Sequence, residues 1–155
     1  MNSNNLKKQK EKVLNFFKEK KFDAALVEGN KLIKEGQNDA QLIYLLGLSS
    51  INLQDFINAE KFFDRLVILK KNPEYFYTLG NIQKKLKKFE YAIKSFEEAI
   101  KLNPNFSEAY NNLGSTQKFL KKYKEAIINF KKAISLKKNN IEASYNLASL
   151  YFFLE

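Results

Sequence analysis

The chain has 155 residues, 45% of them hydrophobic and 14% aromatic, which provides a buried core and excludes general disorder beyond the first few residues. It has neither Cys nor His, which excludes a disulfide framework, a thiolate metal site and the commonest general base. The formal charge is +10, and of the 27 Lys and Arg residues only Arg65 is an Arg. Lys, Asn, Ile, Phe and Tyr are abundant together, the joint bias of AT-rich coding, so the charge reads first as a solvated, composition-driven surface. The opening MNSNNLKKQKEKVLNFF lacks the apolar stretch of a signal peptide, and no run approaches the ~20 apolar residues of a membrane span. The expected location is the cytoplasm.

Taken in chain order, the elements fall into recurring pairs of helical patterns. The first segment, 6–39, is irregular, with Val13 and Gly29 at positions that later segments fill differently. The second, 40–72, carries Gly47, Ala59 and Phe63; the third, 73–106, carries Gly80, Ala92, Phe96 and Ala99. The fourth, 107–140, carries Gly114, Ala126, Phe130 and Ala133, and a half segment, 141–155, places Ala148 where Gly is expected. Ala25, Ala59, Ala92 and Ala126 are spaced by 34, 33 and 34 residues. A fixed period of that size marks a repeat array. The second segment is one residue short, and the KKNPE turn is the simplest place for the loss.

The fourth segment shows how each unit divides. SEAYNNLGSTQKFLKK reads as a first helix with Tyr110, Leu113, Gly114 and Leu120 on one stripe. Tyr123 to about Leu136 reads as a second, with Ala126, Ile127, Phe130, Ala133 and Ile134 on one face. A helix of ~14 residues is marginal alone in water, so each stripe needs a stacked neighbour. A mid-helix Gly costs up to about 1 kcal/mol against Ala, which makes sense where a second helix presses close. The facing small residue is expected to be the early Ala of the second helix, with Phe63, Phe96 and Phe130 filling space between units. Asn72-Pro73 and Asn103-Pro104 are expected to end second helices.

The frame Phe76, Leu79, Gly80, Ala92, Phe96, Ala99, Pro104, repeated as Tyr110, Leu113, Gly114, Ala126, Phe130, Ala133, resembles the tetratricopeptide repeat. The resemblance runs from about residue 6 to the end and is weakest in the first unit. It implies an all-α fold, an α-solenoid of helix-turn-helix units forming a right-handed superhelix. It also implies a concave groove, lined by first helices, that takes a peptide or protein partner. Carried over position by position, the groove residues are Tyr44, Leu48, Ile51, Tyr77, Asn81, Lys84, Asn111, Asn112, Ser115, Lys118 and Tyr145. Asn amides suit a peptide backbone, Tyr offers area with a polar tip, and Lys84 and Lys118 suit carboxylates. Removing the Asn112 amide is expected to weaken a partner with little change in melting. The chaperone-binding clamp of the family is rejected, because Leu14 and Leu45, or Tyr77, Glu142 and Asn146, stand where its Asn or basic residues belong.

The functional expectation is a non-catalytic protein-binding scaffold, forming the N-terminal part of a longer protein. There is no Gly-rich phosphate loop, and no cofactor or metal is expected. One alternative is a basic module for nucleic acid or another polyanion, disfavoured because Arg is nearly absent. Another is the substrate-docking array of a glycosyltransferase or sulfotransferase, suggested by EAYNNLG at 108–114. Tyr151, Phe152, Phe153 and Leu154 crowd the last turn, so self-association through 141–155 is expected.

Overall fold

The structure is a computed structural model that describes residues 3–155. The expectation of disorder at the first few residues concerns in part residues 1–2, which lie outside the described residues. Among the described residues there are nine helices and no strand: α1 (Ser3–Lys18), α2 (Phe22–Lys34), α3 (Ala40–Asn52), α4 (Phe56–Leu69), α5 (Pro73–Lys85), α6 (Phe89–Leu102), α7 (Ser107–Phe119), α8 (Tyr123–Leu136) and α9 (Ile141–Leu154). They fall into two compact bodies, one ending at Lys70 and one running from Lys71 to Glu155. Within each body, odd-numbered first helices pair with the even-numbered helix that follows, and α9 packs on α8.

Four tight turns join the pairs, and all four use one device. Lys20, Gln54, Lys87 and Lys121 each adopt φ near +60°, with values of 58°, 60°, 60° and 60°. The next residue then donates its N–H across the turn: Lys21 to Phe16, Asp55 to Ser50, Lys88 to Gln83 and Lys122 to Gln117, at 2.8–2.9 Å. This six-to-one bond is the Schellman closure, normally built on Gly. The connections between pairs differ. Asn103 caps the end of α6 and Pro104 follows in the turn. The expectation for Asn72-Pro73 is corrected: α4 ends at Leu69, and Asn72 is instead the N-cap of α5, accepting from Glu74 N–H at 2.8 Å with Pro73 at the first helical position. Pro is tolerated there because its missing N–H would have no partner within the helix.

The packing around the glycines is also corrected. A Cβ on Gly80 would lie 2.6 Å from the Phe96 ring, and one on Gly47 would lie 2.8 Å from the Phe63 ring. On Gly114 it would meet the Phe130 ring at 2.9 Å and the Ala126 carbonyl oxygen at 3.1 Å. The phenyl ring, more than the alanine, therefore occupies the space each glycine vacates. It does so within its own helix pair, and Phe96 and Phe130 also reach the next pair as expected, packing with Leu113 of α7 and Leu150 of α9. The first pair inverts this arrangement. Val13 stands where Gly would be and Gly29 where Phe would be, and both are buried. Gly29 lies against the Leu46 side chain of α3, which takes the space a phenyl ring would fill. Large and small have exchanged places, so the core (Val13, Ala25, Leu32, Leu42 and Leu46) still closes.

Candidate functional site

In the body from Lys71, α5, α7 and α9 are neighbours along one face, while α6 and α8 cover their other sides. Side-chain hydrogen bonds cross between these first helices in a regular register. Asn112 donates its amide N–H groups to the Tyr77 hydroxyl at 3.1 Å and to Asn81 Oδ1 at 2.7 Å. Asn146 donates to Asn111 Oδ1 at 3.1 Å, the same 35-residue offset as Asn112 to Tyr77. Lys84 donates to Ser115 at 3.4 Å and Lys118 to Ser149 at 3.0 Å, both across 31 residues. The repeat thus places a polar rung at each junction between first helices.

Of the residues expected in the groove, Tyr77, Asn81, Lys84, Asn112, Ser115 and Lys118 share this face, all half-buried. Asn111 does not belong to the open surface: it is 2% exposed, shut between α7 and α9, so its expected partner contact is withdrawn. Tyr145, at the equivalent position of α9, is 72% exposed. Asn112 has both N–H groups engaged, so its truncation is expected to lower stability as well as binding, contrary to the sequence expectation. Tyr77 is wedged between Phe96, with ring centroids 6.0 Å apart, and Phe106 at 4.8 Å. Burial raises its pKa, aided by Glu108, Glu142 and Glu74 and opposed by its hydrogen bond with Asn81. Burial lowers the pKa of Lys84, partly offset by Glu142.

The face is polarised along its helices. Glu74, Glu108 and Glu142 sit in the first turns of α5, α7 and α9, while Lys84 and Lys118 sit in the last turns of α5 and α7. That order matches the helix dipoles, which attract anions at N-termini and cations at C-termini. Glu108 is held by Lys137 at 3.0 Å, which lowers its pKa.

Tyr44, Leu48 and Ile51 lie on α3 in the other body, also half-buried, and Tyr44 meets Phe63 edge-on at 6.0 Å. They do not line the cleft of that body. A space of about 410 Å3 opens there between α1 and α3, walled by Leu14, Leu42 and Leu45 with Lys7, Lys10, Glu11, Asp39 and Gln41.

Sequence reasoning placed Phe119 and Tyr123 at no binding site and gave Phe153 only to the self-associating last turn. Phe119 packs tilted against Phe89 with ring centroids 4.2 Å apart, and Phe153 against Tyr123 at 5.6 Å. The signal was available, since Phe119 and Phe153 are 34 residues apart, as are Phe89 and Tyr123. Among the described residues no helix is long and apolar enough to cross a membrane.

Tetratricopeptide repeat models match residues 73–106 and 107–140. No curated protein sequence matches the chain. Among solved structures, MamA (41-end) from Desulfovibrio magneticus RS-1 is 21% identical, with a TM-score of 0.86 over 96% of this chain and 84% of that one. YrrB, described as a TPR protein with an unusual peptide-binding site, is 21% identical, with a TM-score of 0.78 over 84% and 68%. The first TPR of Spaghetti (RPAP3), bound to the HSP90 peptide SRMEEVD, is 23% identical, with a TM-score of 0.71 over 74% and 92%. The fold is an all-α repeat solenoid, and the chain carries the tetratricopeptide repeat at 73–106 and 107–140.

Proposed function

We propose that the chain is a non-catalytic scaffold that holds an extended peptide segment of a partner protein along the face of α5, α7 and α9. Within this reading, 6–39 and 40–72 are further repeats of the same array. The observation that carries it is the rung pattern, which supplies amide, hydroxyl and ammonium groups at a fixed step along one half-exposed face. A chain crossing that face meets the same chemistry at each helix, and Lys84 and Lys118 each keep N–H donors beyond the one bonded to Ser. The peptide-binding site of YrrB and the peptide bound to RPAP3 support a peptide as the class of ligand.

Selection of binders from a random peptide display library, followed by NMR mapping, tests this. Selected peptides are expected to shift the amides of Asn81, Asn112, Ser115 and Lys118. Binders that perturb only the outer faces of α6 and α8, or no binders at all, would refute it.

A second reading is favoured by the last turns of α9. Tyr151, Phe152, Phe153 and Leu154 are all exposed, Phe152 by 84%, and 147–154 carries no charge on a chain of net +10. Repulsion between two copies is weakest there, so a second copy is the occupant with the least electrostatic cost. Light scattering across concentrations is expected to show association that Leu154→Glu abolishes. A strict monomer at high concentration would refute it.

A further inference from the structure

A second cleft, of about 400 Å3, lies where the end of α7 meets α9 over the start of α8. Its lining is Ser115, Lys118, Phe119, Tyr123, Asn146 and Phe153. Phe119 and Phe153 are 65% and 66% exposed, and each is pinned on one side by the aromatic that opens the preceding second helix. Their free sides make apolar walls. The polar part is cationic: the Lys118 ammonium has Ser149 as its bonded partner, and Lys84, one repeat earlier, has Ser115. Among the described residues neither lysine has a carboxylate within 4.0 Å. Some other lysines of the chain do have a carboxylate, as Lys10 has Asp39 and Lys137 has Glu108. Glu108, the acid on the same helix as Lys118, is committed to Lys137.

We propose that this cleft and the two lysines together select an acidic, hydrophobic segment of a partner protein, with an aliphatic or aromatic side chain between Phe119 and Phe153 and flanking carboxylates on Lys118 and Lys84. The inference rests on the peptide-binding reading and specifies its ligand. Helices joined by direct side-chain hydrogen bonds lie on the order of 10 Å apart, and an extended chain rises about 3.3 Å per residue. Lys84 and Lys118 occupy equivalent places on adjacent first helices. The partner therefore carries acids roughly three residues apart, with the hydrophobic residue beside one of them. Burial disfavours the charged form of Lys84 and Glu142 offsets this only in part, so a carboxylate from the partner adds counter-charge at a lysine that has no ion pair within the fold.

Fluorescence anisotropy at physiological ionic strength, with a labelled peptide repeating Glu-Leu-Ser, tests this directly. Binding is expected to saturate, and the matched Gln-Leu-Ser peptide is expected to bind about tenfold more weakly. Lys118→Met should remove about tenfold from the Glu peptide and leave the Gln peptide unchanged. Phe153→Ala should weaken both peptides, and Lys132→Met, on the exposed face of α8, should weaken neither. Lys118→Glu should shift preference to a Lys-Leu-Ser peptide. If Lys118→Met loses its helical circular dichroism, Lys84→Met takes its place. Equal binding of the Glu and Gln peptides, or equal losses in Lys118→Met and Lys132→Met, would overturn the inference and leave the peptide-binding reading standing. Absence of binding by either peptide, while display selection yields face-binding sequences, would overturn the inference alone. Failure of both experiments removes the two readings together.

Discussion

Gly114→Ala sets two effects of similar size against each other. In an exposed helix the change stabilises by about 1 kcal/mol, because Ala is the better helix former. Here the new methyl would lie 2.9 Å from Cδ1 and Cε1 of Phe130 and 3.1 Å from the Ala126 carbonyl oxygen. Phe130 is fully buried, so its ring has no solvent side to retreat toward, and the carbonyl belongs to the α8 backbone. Overpacking of this kind costs about 1–3 kcal/mol, so packing wins and a net loss of about 1 kcal/mol is expected. Phe130→Leu removes the obstructing ring edge. The double variant should therefore be more stable than the two single losses predict, by about 1 kcal/mol of coupling. Neighbouring repeats unfold with partial independence, so hydrogen exchange at α7 and α8 amides should accompany urea titration as the readout. Stabilisation by Gly114→Ala, or simple additivity in the double variant, would refute the assignment of the phenyl ring as the reason for the glycine. The first pair points the same way, since Val13 occurs where Gly29 has replaced the phenylalanine.

Three further outcomes follow from single features. The Ser50 hydroxyl is fully buried without a hydrogen-bond partner, whereas Gln83 and Gln117, its counterparts, accept from Ser95 and Asn129 at 2.7 Å. Ser50→Ala should raise the urea midpoint by the equivalent of about 1 kcal/mol, and a loss would show a satisfied hydroxyl. Lys121 holds φ at 60° in a Schellman turn, so Lys121→Gly should stabilise by up to about 1 kcal/mol; a decrease in the thermal midpoint contradicts this. Burial pushes the Asp39 carboxyl up, but the Lys10 ammonium and the Leu42 N–H together hold it below its ordinary 3.8, and the hydrogen bond from Lys137 does the same for Glu108 below 4.5. Both carboxyls bind protons less readily folded than unfolded. Their contribution is therefore present above those ordinary values and is lost as pH falls through the lower folded ones. Denaturation at stepped pH should show stability declining in that acid range, and a double Asp39→Asn, Glu108→Gln variant with an unchanged acid limb would refute it.

The repeat step, the pairing of helices and the second-helix span from Tyr123 to Leu136 were all legible in the residues. Each depends on a pattern running along one chain: apolar positions at helical spacing, and small and aromatic residues returning at a fixed interval. Position in the repeat also placed Tyr77, Asn81, Lys84, Asn112, Ser115 and Lys118 on one face. What that pattern could not decide was which side chain meets which. Asn111 and Asn112 are adjacent and chemically identical, yet one is shut between α7 and α9 while the other bridges to α5. Asn72-Pro73 and Asn103-Pro104 read alike, yet one opens a helix and the other follows one, because three residues rather than four join the flanking helices. The partner of each glycine, the serine-bonded ammoniums of Lys84 and Lys118, and the cleft between Phe119 and Phe153 depend on contacts 16 to 35 residues apart. Those contacts are set by how three helices settle against one another, and that packing is decided by shape and volume in three dimensions rather than by order along the chain.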